Sequence, residues 1–337
     1  MEKKLSSFNA AVTRILNGMA QGLFSSLIIG LIIKQIGTYT NIDMLVNIGQ
    51  IAQYMTGPAI GVGVANALGA PPLAIFSAAA AGTIGAGTIN LATGALALGE
   101  PLGATIAALA GAYCGKKISG KTKVDILLVP LATIIVGGLV GIFLSPVVAS
   151  LMKAIGSFIN SLTTMYPLPM RILVSTVVGI VLTLPISSAA ICISLGLDGL
   201  AAGAACVGCC CQMIGFAVSS YRENKIGGLI SQGLGTSMLQ IPNIWNNWKI
   251  WIPPTLASAI LGPVSTCIFK MTNNASGAGM GTSGLVGQFN AVATMGSSAI
   301  PVIVIMHFIL PAVLSLIFSE FMRKKGWIKD GDMLLNS

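Results

Sequence analysis

The chain has 337 residues, of which 54% are hydrophobic and only 8% are charged. Soluble domains carry about 25% charged residues, so this composition excludes a soluble enzyme, and the mean hydropathy of +0.88 points the same way. The net charge is +9, but the basic residues form short clusters between apolar stretches, which indicates membrane topology and not nucleic-acid binding. We predict an all-α, polytopic membrane protein in which residues 1–337 form a single membrane domain.

Apolar segments that suit the thickness of a bilayer follow one another along the whole chain. A transmembrane helix needs about 20 mainly apolar residues. The candidate spans, in chain order, are Ile15–Ile36, Asn47–Leu68, Pro72–Ala92, Leu102–Cys114, Ile126–Met152, Ile172–Leu195, Gly199–Ser219, Ile226–Ile241, Ile250–Met271 and Ile300–Met322. Some of them are short or rich in glycine. We therefore expect about ten transmembrane helices together with Gly-rich re-entrant or broken segments.

Clusters of basic residues predict the orientation of the chain, because cytoplasmic loops collect Lys and Arg. Arg14, Lys116–Lys123 and Arg323–Lys329 should therefore lie on the cytoplasmic side, which places both termini in the cytoplasm. If every candidate span crosses the membrane once, Arg222–Lys225 lies on the external side, although it is a basic cluster. Either this cluster is external or Ile226–Ile241 re-enters without crossing, and the sequence leaves both open.

A weak internal repeat suggests that the chain contains a duplication. Pro130–Gly137 reads like Thr255–Gly262, and transporters are often built from duplicated units. The corresponding halves would be about 46–152 and 170–271. The alternative is a chance similarity between two helices rich in small residues.

Two polar, Gly-rich stretches interrupt the apolar pattern of the second half. We call Gly227–Asn243 the first polar segment and Asn274–Asn290 the second polar segment. Non-helical backbone survives at membrane depth only where it is buried in protein or lines a wet cavity. We therefore expect the two segments to meet near the bilayer midplane and to bind a small polar solute. The candidate binding residues are Gln232, Thr236, Ser237, Gln240, Asn243, Asn274, Thr282, Ser283 and Gln288.

The alternative is that these segments are loops outside the membrane that lead into helices with a purely structural role. The second segment also contains Gly279-x-Gly281-x-x-Gly284, which is formally a dinucleotide fingerprint. No strand pattern precedes it and no acidic residue follows at the required distance. We therefore expect no nucleotide cofactor.

Two isolated titratable residues are further candidates for the solute site. Glu100 lies between two segments of small residues, where a carboxylate is costly at membrane depth and is a functional candidate by default. The alternative is a turn at the membrane surface. His307, the only histidine, lies in the middle of an apolar span. It would contact solute or relay a proton, or hydrogen-bond to a neighbouring helix.

The cysteine-rich run Cys206–Cys211 has the appearance of a metal motif. Consecutive cysteines on a helix point in different directions, and no second cluster with matching spacing exists. We therefore expect these residues to be small packing residues, with no metal site. The chain also shows no complete catalytic set.

Three stretches, Ser220–Asn243, Trp251–Pro263 and Gly279–Gln288, carry a resemblance to a known bacterial family. Together they resemble the phosphotransferase-system IIC-like membrane proteins that are grouped with the perfringolysin O regulator. The resemblance implies a multi-pass permease subunit of the bacterial plasma membrane that forms a homodimer. It implies at most the membrane subunit of a PEP-dependent sugar phosphotransferase system. This chain has no polar region long enough for a soluble IIA or IIB domain, so phosphorylation would require separate IIA and IIB proteins.

Two functions from different classes remain open. The first is a transporter that moves a small polar solute, a sugar or sugar-like compound, with or without partner-dependent phosphorylation. The second is a membrane sensor or regulator that binds the solute without net transport.

Overall fold

A computed structural model describes the chain over residues 2–89, 93–163 and 167–335. These residues form helices and no strand, so the predicted all-helical class is confirmed over the described ranges. The last three residues of the predicted span Pro72–Ala92 lie outside the described residues. The chain divides into two compact units, Met1–Leu151 and Met152–Asn336, which are described separately.

In the first unit, short helices replace some of the predicted spans. A π-helical turn joins its first two helices into one apolar span, Ala11–Thr38. The predicted span Asn47–Leu68 divides at Met55 into two helices of 12 residues each. The helices of this unit are α1 (Glu2–Leu23), α2 (Ile29–Thr40), α3 (Asp43–Tyr54), α4 (Thr56–Ala67), α5 (Pro72–Ala86), α6 (Pro101–Ile118) and the beginning of α7 (Asp125–Thr163).

In the second unit, long helices alternate with broken ones. The predicted span Ile172–Leu195 divides between Thr183 and Ser188. The α-helices are α8 (Pro167–Thr183), α9 (Ser188–Ser194), α10 (Gly199–Ser219), α11 (Tyr221–Ile230), α12 (Ile241–Asn246), α13 (Ile252–Pro263), α14 (Ala275–Ala278), α15 (Val286–Met295), α16 (Ile300–Val304) and α17 (Leu310–Lys324). Short 3-10 and π-helical turns connect several of them.

Five helical stretches of the described residues are long and apolar enough to cross a membrane. They are Ala11–Thr38, Asp125–Leu144, Gly199–Ser219, Trp248–Ile268 and Ser297–Lys324. Pro72–Ala86 and Leu168–Thr183 are apolar but shorter. The prediction of a polytopic membrane protein is therefore confirmed, whereas the predicted number of about ten spans is not. The duplication also stays a prediction, although its two similar segments lie in α7 and α13.

The loop around Arg222 lies at the same end of the second unit as the C-terminal basic cluster. α10 ends at Ser219, whose carbonyl oxygen accepts a hydrogen bond from Arg323 at the end of α17. The next span begins beside Asn247, whose side chain donates to the carbonyl oxygen of Trp327. The intervening chain thus leaves and returns at one end. This geometry favours the alternative in which Ile226–Ile241 re-enters without crossing.

α10 is the central helix of this unit, and most of its residues are buried. It approaches α8 so closely that a Cβ atom added to Gly208 would lie 1.9 Å from the carbonyl oxygen of Ser175. Ser175 and Ser258 of α13 then join the three helices by hydrogen bonds. Ser175 donates to Ser258 O at 2.8 Å, and Ser258 donates to Gly208 O at 3.1 Å. Small residues thus permit backbone contact, as is usual for helices in lipid.

This packing predicts that Gly208→Ala destabilises the protein by about 1–3 kcal/mol, because the added methyl group has no space. Gly227→Ala is the matched control, since a Cβ atom there meets no atom within 4 Å. We expect the control to unfold at or slightly above the parent temperature, because alanine favours helix. Thermal unfolding in detergent measures both. Equal stability of the two variants would show that α8 and α10 are not in contact at Gly208.

Candidate functional site

The first polar segment returns towards the middle of α10 from the Ser219 end. Lys225 has a left-handed φ of 51°, which breaks the direction of the chain inside α11. A π-helical turn, Ser231–Gly235, follows, and its last residues come beside α10: a Cβ atom on Gly233 would lie 3.5 Å from the side chains of Ala217 and Ile214. The segment therefore descends beside the helix that precedes it.

The second polar segment arrives from the opposite end of α10. The backbone N–H of Asn273 donates to the carbonyl oxygen of Gly199, the first residue of α10, at 3.2 Å. Asn274 then caps α14 through Gly277 N at 3.1 Å. At Gly281, where φ is +54°, an added Cβ atom would lie 2.8 Å from the backbone of Cys209. Since Cys209 lies halfway along α10, the tip of this segment reaches the middle of the helix.

The two polar segments meet at one hydrogen bond. The hydroxyl of Thr282 donates to the carbonyl oxygen of Gly233 at 2.5 Å. Thr282 also lies 3.5 Å from the sulfur of Met213 in α10. The two segments thus enter from opposite ends of α10 and touch beside its inner turns, as the sequence predicted for their meeting.

The amides of the first polar segment form a continuous chain of hydrogen bonds. Asn243 Nδ2 donates to Gln240 Oε1 at 2.8 Å, and Gln240 Nε2 donates to Gln232 Oε1 at 2.8 Å. Gln232 Nε2 in turn donates to Ser220 Oγ at 2.9 Å. All three amide side chains are buried. These predicted binding residues therefore satisfy one another in this state.

The same amides also hold the C-terminal tail, which we define as Trp327–Leu335. Gln240 donates to Met333 O at 3.0 Å, and Asn243 donates to Leu334 O at 3.0 Å. Asn224 both donates to Met333 O and accepts from Leu335 N, each at 2.8 Å. Sequence patterns do not reveal this role of the tail, because no short-range pattern links residues so far apart along the chain.

A second group of hydrogen-bonded polar side chains includes Gln212, which is not among the predicted site residues. The hydroxyls of Ser237 and Thr183 lie 2.8 Å apart, and Thr183 lies 3.3 Å from Gln212 Oε1. Gln212 also accepts a hydrogen bond from the indole of Trp251 at 2.9 Å. Gln212 is the one amide side chain in the apolar helix α10, and that isolation was the available signal. Thr236 caps the turn next to Ser237 through Met238 N at 3.2 Å.

Two buried polar atoms of the second polar segment retain unused hydrogen-bonding capacity. Ser283 Oγ and Gln288 Oε1 have no partner among the described residues. Gln288 Nε2 lies 3.0 Å from His307 Nδ1, which brings together two predicted site residues. Asn274 donates instead to Asn290 Oδ1 at 2.9 Å, inside its own segment. Unpaired polar atoms are costly in a buried site, so Ser283 and Gln288 are the strongest candidates for contact with a ligand.

Glu100 belongs to the first unit, whereas the other predicted site residues belong to the second. It precedes α6, and its backbone amide donates to Ala86 O at 2.9 Å. Its place in the solute site stays a prediction.

Two ion pairs of equal length differ sharply in burial at the end where Ser219 lies. Arg323 and Glu223 lie 2.7 Å apart, and each side chain is 6% exposed. Arg222 and Glu320 also lie 2.7 Å apart, but their side chains are 60% and 32% exposed. Both pairs join the first turn of α11 to the C-terminal part of α17. An adjacent cavity of about 560 Å³ is lined mainly by charged residues of this end.

We predict that Arg323→Ala lowers the free energy of unfolding by about 3–5 kcal/mol, because it leaves the Glu223 carboxylate buried without its cation. Arg222→Ala is the matched control and should cost about 0–1 kcal/mol, because an exposed pair is screened by water. Denaturation in mixed micelles measures the difference. If the two variants were equally stable, the buried pair would not hold the loop to α17.

Comparison with known proteins gives one match. Residues 13–335 match the family described as "Phosphotransferase system, EIIC". No curated protein and no solved structure shows a significant match. Because the match covers nearly the whole chain, the chain belongs to this family. It is accordingly a multi-pass membrane protein of the permease-subunit type.

Proposed function

We propose that this EIIC-family protein moves a small polar solute, a sugar or sugar-like compound, across the bacterial plasma membrane by alternating access. The observation that carries the proposal is the contact between Thr282 and Gly233, where two broken segments from opposite ends of α10 meet. Transporters commonly place their substrate where discontinuous helices meet at the membrane midplane. Since α10 is itself long and apolar enough to span, the contact would lie at membrane depth.

The chemistry around this contact suits a neutral polyhydroxylated solute. The buried groups are amides and hydroxyls, which both donate and accept hydrogen bonds. We assign the first contacts with solute to Ser283 and Gln288, whose side-chain oxygens have no hydrogen-bond partner among the described residues. Thr282 would follow by releasing Gly233. The remaining candidates, Gln232, Thr236, Ser237, Gln240, Asn243, Asn274, Glu100 and His307, would line the path or exchange partners during opening.

Phosphorylation of the solute would depend on other proteins. EIIC permeases work with IIA and IIB proteins, and we propose that separate chains supply these here. The end that carries Arg222, Glu320 and Arg323 is the charged face of the second unit, and it is predicted to be cytoplasmic. It would therefore be the side that soluble partners reach. A homodimer, as the resemblance implies, is also part of the proposal.

A sensor that binds solute without transport is the second candidate, and the C-terminal tail favours it. Gln240 and Asn243 hold Met333 and Leu334. A solute that takes these amides would release the tail and so signal its presence outside the membrane. This alternative also agrees with the narrower resemblance to the group of the perfringolysin O regulator, which stays a prediction.

Uptake into proteoliposomes separates the two candidates. The purified protein is first screened for thermal stabilisation by a panel of hexoses, disaccharides, polyols and sugar acids. The best radiolabelled compound is then offered to proteoliposomes, with and without phosphoenolpyruvate and a soluble extract that contains phosphotransferase proteins. Uptake above that of empty liposomes supports the permease. Saturable binding with no uptake under either condition supports the sensor.

We predict that Ser283→Ala weakens binding of that compound by about 1–3 kcal/mol, or roughly 5- to 150-fold in Kd. The folded protein should keep its stability, because the hydroxyl makes no hydrogen bond within the described ranges of the chain. Ser265→Ala is the control, since Ser265 is equally buried but donates to Gly262 O within its own helix. Isothermal titration gives both Kd values. An unchanged Kd in Ser283→Ala would remove Ser283 from the site.

A further inference from the structure

Three side chains that bind soft metals converge in the second unit, where α10 packs against the second polar segment. Cys206 and Cys210 are four residues apart on α10 and therefore share one face of the helix. His307 reaches them from the π-helical turn Ile305–Ile309 in the last span. The two sulfurs and the imidazole nitrogen all lie within 4.8 Å of one another. All three residues are fully buried.

This geometry is close to that of a filled tetrahedral site. Zinc binds thiolate sulfur at about 2.3 Å and imidazole nitrogen at about 2.0–2.1 Å, which places neighbouring ligand atoms roughly 3.5–3.8 Å apart. Because the ligand atoms lie within 4.8 Å of one another, the cluster would need to contract by at most about 1.3 Å to reach these separations.

We propose that Cys206, Cys210 and His307 bind one zinc-like divalent metal ion inside the membrane domain. The charges favour this ion, because two thiolates and a neutral imidazole carry two negative charges, which a divalent cation cancels. A neutral complex avoids the cost of burying a net charge. Copper(I) would leave one negative charge uncompensated in the same apolar surroundings.

Gln288 completes the site. Its amide nitrogen lies 3.0 Å from His307 Nδ1 and 3.3 Å from Cys210 Sγ, while its oxygen has no partner in the part of the chain that the structure describes. Rotating the amide by half a turn exchanges the two atoms. The oxygen then faces the cluster. There it is able to take the fourth position or to fix the orientation of the imidazole, as groups behind metal ligands commonly do.

A metal at this place would fasten three elements that the polypeptide brings together from distant positions. α10 supplies both thiolates, α15 supplies Gln288 and the last span supplies His307. The π-helical turn at His307 is a distortion of the kind that is frequent at functional sites. A structural metal of this kind contributes its binding free energy to folding. The test of this proposal does not depend on transport, because metal content is measured without solute. A bound metal would take Gln288 and His307 out of the solute site and leave Ser283 there.

The first experiment measures the metal content of the full chain purified in detergent without added chelator. Elemental analysis by mass spectrometry should find about one zinc per chain, and less than a fifth of that value in Cys206→Ala and in His307→Ala. Cys209→Ala is the matched control. Cys209 is equally buried on the same helix, but its sulfur lies 3.7 Å from the carbonyl oxygens of Val178 and Ala278. It should keep the metal.

The second experiment keeps the test valid if a variant folds poorly. The parent protein is stripped with a chelator and titrated with cobalt(II), which reports thiolate ligands by charge-transfer absorption in the near ultraviolet. We expect saturable absorption that falls by about half in Cys210→Ser and persists in Cys209→Ala. Absence of this absorption in the folded parent would overturn the proposal. Copper in place of zinc, or equal zinc in Cys206→Ala and the parent, would also overturn it.

Discussion

The requirement that buried polar groups find partners within the chain governs the second unit. At membrane depth, lipid tails offer no hydrogen-bonding groups and bulk water is absent. An amide that has no hydrogen-bond partner in the protein is therefore costly. The chain of hydrogen bonds from Asn243 through Gln240 to Gln232 meets this requirement. It allows the first polar segment to leave regular helix beside α10. Without it, the π-helical turn Ser231–Gly235 would carry buried amides with no partners.

Small residues make the second part of the arrangement possible. Gly208 and Gly281 bring other backbones into contact with α10, where larger residues would collide with Ser175 and with Cys209. The two polar segments therefore reach the same helix from opposite ends. The contact of Thr282 with Gly233 follows from this close approach. The glycines thus permit the close approach, and the polar side chains provide the hydrogen bonds. Together they allow irregular backbone to be enclosed by protein.

Sequence patterns predicted the membrane class, both polar segments and their meeting, because composition and local runs of glycine and amides report these directly. They did not predict where helices divide, as at Met55, because tertiary contacts decide such breaks. They also missed the C-terminal tail and Gln212, whose partners are distant in the chain. The cysteines were assigned to packing because Cys209, Cys210 and Cys211 are consecutive and point in different directions on a helix. Only the fold brings His307 to Cys206 and Cys210.

Cross-linking between the two polar segments tests the central claim most directly. Gly233→Cys and Thr282→Cys are introduced together in membranes, at positions where the added atom on Gly233 meets only ordinary contacts. A short thiol-specific cross-linker is applied, and the linked peptides are identified by mass spectrometry. We expect efficient linkage for this pair and none for Ile226→Cys with Thr282→Cys. Ile226 directly follows the break at Lys225, near the end of α10 that carries Ser219, whereas Thr282 lies beside Met213 in the inner turns of α10. Linkage of the control pair alone, or of neither pair, would contradict a junction of the two segments beside α10.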